Sequence, residues 1–140
     1  MKVKTILVVD DTDYVGRSTY RVVESLLEKF PKRADEDVAA HFIHGNGRDA
    51  LAFLDEQPKI AAGEILLLTD GHMPVMHGAE LIEEMQVRLG DRLTAVLVSA
   101  TAADFAAFAR RLGFALLEKP FVYEQLAHYV AAFLDKPASS

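Results

Sequence analysis

Short apolar runs alternate with longer stretches of helical periodicity from one end of the chain to the other. Thr5–Val9 is apolar and stops at Asp10 and Asp11. Val15, Thr19, Val22, Val23, Leu26, Leu27 and Phe30 then form a stripe at helical spacing. Pro31 and the charged segment Lys32–Asp37 predict a polar loop, Val38–Ile43 a second strand, and Gly45-Asn46-Gly47 a turn. Arg48–Asp55 reads as a helix with Leu51 and Leu54 inward, and a loop is expected around Pro58 and Gly63. Ile65–Leu68 is apolar without alternation, as a strand covered on both faces must be. Gly78 precedes a helix with Ile82, Met85 and Leu89 on one side. Thr94–Val98 is the fourth strand, Asp104–Leu112 a helix stopped by Gly113, and Phe114–Leu117 the fifth strand. A last helix is expected from about Val122 to Leu134, with Lys136–Ser140 as a frayed tail.

Five strands alternating with five helices predict an α/β fold: a doubly wound parallel sheet with right-handed crossovers and helices on both faces. The common, flavodoxin-like order for five such strands is 2-1-3-4-5, with ligands bound beyond the carboxyl ends of the strands where the order reverses. Neither an internal repeat nor a long linker interrupts the pattern. One domain over residues 1–140 is expected, its core at about 3–134.

Composition narrows the function classes. At 140 residues and 51% hydrophobic the chain has material for one core, and no run approaches a membrane span. The absence of cysteine excludes disulfides and thiolate metal sites and fits a cytoplasmic protein. A net charge of −6 argues against direct nucleic-acid binding.

The predicted topology places Asp10 and Asp11 at the end of strand 1, Thr69-Asp70 at strand 3, Ser99 at strand 4 and Glu118-Lys119-Pro120 at strand 5. Taken singly, each has a plainer reading: Asp11 or Asp13 as a helix cap, Asp70 before Gly71 as a turn residue, Ser99 as a strand end. Together they gather three carboxylates, a hydroxyl and an ammonium at one edge. Carboxylates so crowded need a cation, and a hard divalent ion such as Mg²⁺ suits them where phosphate is handled. A carboxylate can accept a phosphoryl group covalently, with Lys119 and Ser99 as partners for the phosphoryl oxygens.

The motifs Ile6-Leu7-Val8-Val9-Asp10-Asp11, Leu66–Gly78 with its Asp-x-x-Met-Pro-x-Met-x-Gly pattern, Val98-Ser99-Ala100 and Glu118-Lys119-Pro120-Phe121 resemble the response-regulator receiver domains of two-component signalling. The likeness spans roughly residues 3–134. It implies Asp70 as phosphoacceptor and Mg²⁺ held by Asp11 directly, Asp10 through water, Asp70, and the backbone carbonyl of His72. It implies Ser99 and Lys119 on the phosphoryl group and a cis Lys119–Pro120 bond. It also implies that His72 and Thr101 tune hydrolysis. The donor would be a phosphohistidine on a sensor histidine kinase or histidine phosphotransfer protein, and slow self-hydrolysis would reset what is a signalling switch and not an enzyme. The output surface would be Asp104–Leu112, the fifth strand and the last helix, meeting a protein target or dimer partner.

Three features depart from the pattern. Leu116 stands where many receivers have a Tyr or Phe that reports phosphorylation, with Phe114 on the same face. The segments Phe30–Val38 and Glu56–Glu64 are long, as surface insertions or partner contacts. No effector domain is expected after residue 134, as in a stand-alone receiver or one cut from a longer chain.

Other functions are open on the sequence. Asp11-Thr12-Asp13-Tyr14-Val15 fits the start of a haloacid-dehalogenase-like phosphatase, which would carry the phosphoryl group on Asp11. A phosphorylation-independent interaction module on the same fold is the other alternative, and a flavin site lacks its phosphate loop. His41, His44, His77 and His128 form no convincing metal site, and His41 and His44 are expected on opposite faces of a strand. Phe121, Leu126, Tyr129 and Phe133 read as core and half-buried face; an exposed Tyr123 or Tyr129 would point to a partner surface.

Overall fold

A computed structural model describes residues 1–136. The elements are β1 (Lys2–Asp10), α1 (Asp13–Lys29), β2 (Glu36–His44), α2 (Gly47–Glu56), α3 (Pro58–Ala61), β3 (Glu64–Asp70), α4 (Gly78–Leu89), β4 (Leu93–Ser99), α5 (Ala106–Leu112), β5 (Ala115–Glu118) and α6 (Tyr123–Asp135). Short 3-10 turns, Gly90–Arg92 and Ala102–Phe105, precede β4 and α5. Of the predicted tail, only Lys136 lies among the described residues.

The five strands are all parallel and run β2-β1-β3-β4-β5, the predicted order. Alternate residues of the central strands feed two cores. Leu7, Val9, Ile65, Leu67 and Leu97 pack under α2, α4 and α5. Ile6, Val8, Leu66, Leu68, Val96 and Val98 pack under α1 and α6. Because both faces are covered, these strands carry no polar alternation.

Several boundaries differ from the periodicity. β1 begins at Lys2 and β2 at Glu36, so the pair is registered over its whole length from Lys2↔Glu36 to Asp10↔His44. The expected loop at Pro58 contains the single-turn α3, with Pro58 at its first position, where a missing N–H costs nothing. Arg92 Nη1 ties this segment down through the carbonyls of Ala61 (2.7 Å) and Gly63 (2.8 Å). The predicted helix Asp104–Leu112 is divided into a 3-10 turn and α5. Gly113 ends it in the left-handed conformation, φ 76°. Asn46 caps α2, its side chain accepting from the Arg48 amide at 2.8 Å.

Lys4 is fully buried. Its ammonium donates to the carbonyl oxygens of Phe133 (3.1 Å), Leu134 (3.4 Å) and Lys136 at the end of α6. It also pairs with Glu36 at 3.6 Å. A cation on orphan carbonyls at a helix C-terminus satisfies both the hydrogen-bond and the dipole requirement of that end. Lys4→Met is expected to lower stability by about 2–3 kcal/mol, the worth of charged hydrogen bonds left unmade. A reduced urea midpoint at unchanged slope would verify this; an unchanged midpoint would refute it.

Candidate phosphoacceptor site

The carboxyl ends of β1, β3, β4 and β5 supply the four parts of the site. Asp10, Asp11 and Asp70 each place a carboxylate oxygen within 4.8 Å of the others. Lys119 Nζ lies 3.1 Å from Asp10 Oδ2 and 3.3 Å from Asp70 Oδ1. Asp10 is nearly buried and holds the Thr12 amide at 2.9 Å through Oδ1, so it starts the loop into α1. Asp11 is exposed and Asp70 half-covered. Neither Asp11 nor Asp13 caps α1, whose N-cap Thr12 makes no side-chain cap bond.

Three carboxylates face a single ammonium, a formal charge of −2 (one positive, three negative). Burial pushes the Asp70 carboxyl above its usual range; Lys119 pulls it down and Asp10 pushes it up. The donor set is oxygen only, clustered and under-neutralised, which fits a hard divalent cation such as Mg²⁺.

Ser99 ends β4 one position past Val98, the register partner of Asp70. Its Oγ accepts the Thr101 amide at 3.1 Å and lies 3.4 Å from the Thr101 hydroxyl, with either hydroxyl able to donate. The Ser99 carbonyl accepts the Lys119 amide at 2.9 Å, locking β4 to the start of the lysine loop. The Lys119–Pro120 peptide is cis, as the resemblance implies.

The loop after Asp70 explains the Met-Pro-x-Met-x-Gly spacing. Met73 is buried in the core, and the Met76 carbonyl accepts the Gly47 amide at 3.1 Å. Gly78 opens α4 against the end of β3: a Cβ there would stand 2.2 Å from the Asp70 carbonyl oxygen. Between them Val75 has φ 68°, and the Met76 amide reaches the Pro74 carbonyl at 2.7 Å, closing a γ-turn. A β-branched residue is strained there, so backbone strain sits five residues from Asp70.

His72 and Thr101 stand two residues beyond Asp70 and Ser99, in the loops that leave β3 and β4. His72 Nε2 lies 3.1 Å from Asp104 Oδ2, and its ring lies 4.7 Å from that of Phe105. Periodicity turns Phe105 inward, as observed, but sequence reasoning missed Asp104 as a partner of His72, because it matches no motif. Leu116 and Phe114 both face the α5 side, as the alternation requires, Phe114 buried and Leu116 half-buried. His41 contacts Phe53 while His44 lies over Phe42 and near Asp13, the predicted opposite faces. His77 caps α4, its Nδ1 accepting the Glu80 amide at 3.2 Å. Asp13 is turned to Arg17 at 2.9 Å, so it does not join the carboxylate cluster. The Arg17 hydrogen bond holds its carboxyl below the usual range. Tyr123 is exposed and accepts from Lys29 at 3.1 Å; Tyr129 is half-buried.

No protein-family model and no curated protein matches the chain. Solved structures do. A CheY-like response regulator receiver domain protein from Methanospirillum hungatei JF-1 superposes with a TM-score of 0.70 at 25% identity, covering 96% of this chain and 95% of that one. The response regulatory domain of protein mrkE from Klebsiella pneumoniae gives 0.69 at 16%, covering 95% and 99%. A chain of the CheX–CheY–BeF3–Mg complex from Borrelia burgdorferi gives 0.67 at 18%, covering 94% and 90%. The chain has the fold of response-regulator receiver domains. No helix among the described residues is long and apolar enough to cross a membrane.

Two variants test the site's construction. Gly78→Ala is expected to cost about 1–3 kcal/mol from overpacking against the Asp70 carbonyl, read as a lower denaturant midpoint. Asp70→Asn is expected to raise the melting temperature at pH 7 without divalent metal. The folded pKa of Asp70 is raised, so its ionised form is a cost that appears as pH rises from the unfolded value of 3.8 through the folded one. The advantage of Asn should therefore vanish in acid; a gain that persists or grows as pH falls would contradict this origin.

Proposed function

We propose that the protein is a phosphoacceptor switch of a two-component phosphorelay, with Asp70 as the acceptor. The observation that carries this reading is the position of Asp70 between the Lys119 ammonium and the Asp10–Asp11 pair, at the carboxyl edge of a receiver fold. An Asp70 oxygen attacks the phosphorus of a phosphohistidine; the P–O bond forms, the P–N bond breaks, and the electron pair returns to the imidazole. Lys119 and the Ser99 hydroxyl stabilise the phosphoryl oxygens as charge spreads over them. Asp10, Asp11, Asp70 and the His72 carbonyl would hold Mg²⁺, which supplies charge neutralisation of the acceptor and the phosphoryl group. Water attack on phosphorus, with cleavage of the P–O bond to Asp70, releases inorganic phosphate and resets the site. His72 and Thr101 flank the path of that water and tune it. The protein acts as a signalling switch that catalyses only its own phosphorylation and dephosphorylation.

A surface beside the site suits a protein donor. Tyr14, Val15, Val22, Pro120 and Phe121 border a mostly apolar groove of about 510 Å³ whose lining includes Lys119. A donor histidine on a kinase or phosphotransfer protein seated there would lie next to the acceptor. A cytoplasmic location goes with that partner.

The test is to incubate the protein with acetyl phosphate and Mg²⁺ and weigh it intact. One phosphoryl adduct is expected, absent with EDTA, absent in Asp70→Asn and slowed about 10²-fold in Lys119→Ala. An adduct on Asp11 would favour the phosphatase reading. No adduct even with a matched kinase would leave an interaction module on this fold.

A further inference from the structure

The two edges of the sheet are guarded very differently. β5, on one side, has four residues; β2, on the other, has nine. A long edge strand is an open row of hydrogen-bonding groups, which proteins blunt with shortness, Pro, Lys or a bulge. β5 is short. β2, Glu36-Asp37-Val38-Ala39-Ala40-His41-Phe42-Ile43-His44, carries neither Pro nor Lys, and its register with β1 runs unbroken, so it has no bulge.

Two bonds set the phase of the β1–β2 ladder. The Lys2 amide donates to the Asp35 carbonyl at 2.9 Å, and the Gly45 amide to the Asp10 carbonyl at 3.0 Å. Carried along a parallel pair, that phase turns the backbone groups of odd-numbered β2 residues toward β1. It turns those of Val38, Ala40, Phe42 and His44 outward. Among the described residues, the one partner on these outward groups is the Tyr20 hydroxyl. It donates to the Ala40 carbonyl at 3.5 Å, well beyond the usual distance for such a bond.

This edge is complementary to itself in one direction. In an antiparallel pair with a second copy, centred on Ala40, Val38 opposes Phe42, Ala39 opposes His41 and Asp37 opposes Ile43, so the whole strand is used. Outward backbone groups then meet outward backbone groups at every hydrogen-bonded pair. Val38 and Phe42 make a favourable cross-strand pair of β-branched and aromatic side chains, and Ala40 meets only itself on the axis. The acidic end, Glu36 and Asp37, lies opposite the end that carries Ile43 and His44, so no like charges face each other. A parallel pair would set the acidic ends side by side. Rings border the edge on both faces: Tyr20 stacks on half-buried Phe42 at 6.3 Å, and His41 lies against Phe53 at 5.3 Å.

We propose that β2 is a self-association edge. Two copies of the chain join antiparallel β2 strands into one continuous sheet, with the two-fold axis at Ala40. The carboxyl edges of the two halves point in opposite directions, so both Asp70 sites stay open. The surface is not the last strand and helices expected from the sequence, and the proposal stands independently of the acceptor reading.

Sedimentation equilibrium of the full chain tests it. A concentration-dependent dimer is expected, of the weak class formed by interfaces below about 1,200 Å². Ala40→Pro removes an outward N–H that the β1–β2 ladder does not use, and Ala39→Lys puts a charge on an exposed edge position. Each is expected to weaken the dimer about tenfold or more. Ala39→Lys decides the matter if the proline variant does not fold. Crosslinking reads the register. The chain has no cysteine, so Ala40→Cys supplies one thiol per copy, with Cα atoms about 5.5 Å apart across the axis and within disulfide reach. In Val38→Cys the two Cα atoms stand about 14 Å apart along the pair. Under mild oxidation Ala40→Cys should give about fivefold more covalent dimer than Val38→Cys, or better. A wild-type chain that is monomeric at every concentration, a dimer indifferent to the edge variants, or equal crosslinking at positions 38 and 40 overturns the proposal.

Discussion

The ammonium of Lys119, suspended between Asp10 and Asp70, is the contact on which the arrangement turns. It joins the last strand of the sheet to the two central ones, at separations of 3.1 and 3.3 Å. Half-buried carboxylates repel one another, and each would recover its ordinary solvation by moving apart. Lys119 offsets that tendency, but a single positive charge cannot neutralise three negative ones. The residual negative charge makes this edge of the sheet receptive to a small divalent cation. Burial is the main reason that the Asp70 pKa is raised despite its lysine, and the Asp10 charge adds to it.

Around that charge cluster the backbone is fixed from several directions. Gly78 lets the first turn of α4 touch the backbone of Asp70, and the Gly78 amide donates to the Gly71 carbonyl at 2.7 Å. The Asp10 carbonyl accepts the Gly45 amide at 3.0 Å, and so ties the β2–α2 loop to the carboxyl end of β1. The strained Val75 turn lies between these rigid points. Strain of this kind persists only where neighbours over-determine the chain, here the buried Met73 on one side and the Met76–Gly47 bond on the other. Precision at Asp70 is therefore a property of the loops, held by backbone bonds and close packing on a rigid parallel sheet.

Much of this is written in the sequence. Apolar runs such as Ile65–Leu68, uninterrupted and short, point to a doubly covered parallel sheet, and the strand order follows from common topology. Asp10, Asp11, Asp70, Ser99 and Lys119 are legible as a group because every one of them sits at a strand end, where such folds bind ligands. Lys4 is different: nothing in the apolar run beside it announces its burial, which rests on Glu36 and on the C-terminal carbonyls of α6, about 130 residues away in sequence. The division of Asp104–Leu112 into a 3-10 turn and α5 follows from the packing of Phe105 on Gly71, a tertiary contact that periodicity does not carry. Asp104 was invisible as a partner of His72 for the same reason, and the γ-turn at Val75 overrides that residue's own preference.

On the function proposed above, the Asp10–Asp11–Asp70 cluster, left short of positive charge by Lys119, binds a divalent cation and is thereby readied to accept a phosphoryl group. Isothermal titration of the full chain with Mg²⁺ at neutral pH tests it most directly, with Asp11→Asn as the comparison. Saturable binding of one ion, weakened about tenfold or more on removal of the Asp11 charge, is the predicted result. Absence of saturable binding, or binding indifferent to Asp11, would contradict it and would mean that Lys119 and burial alone satisfy the carboxylates.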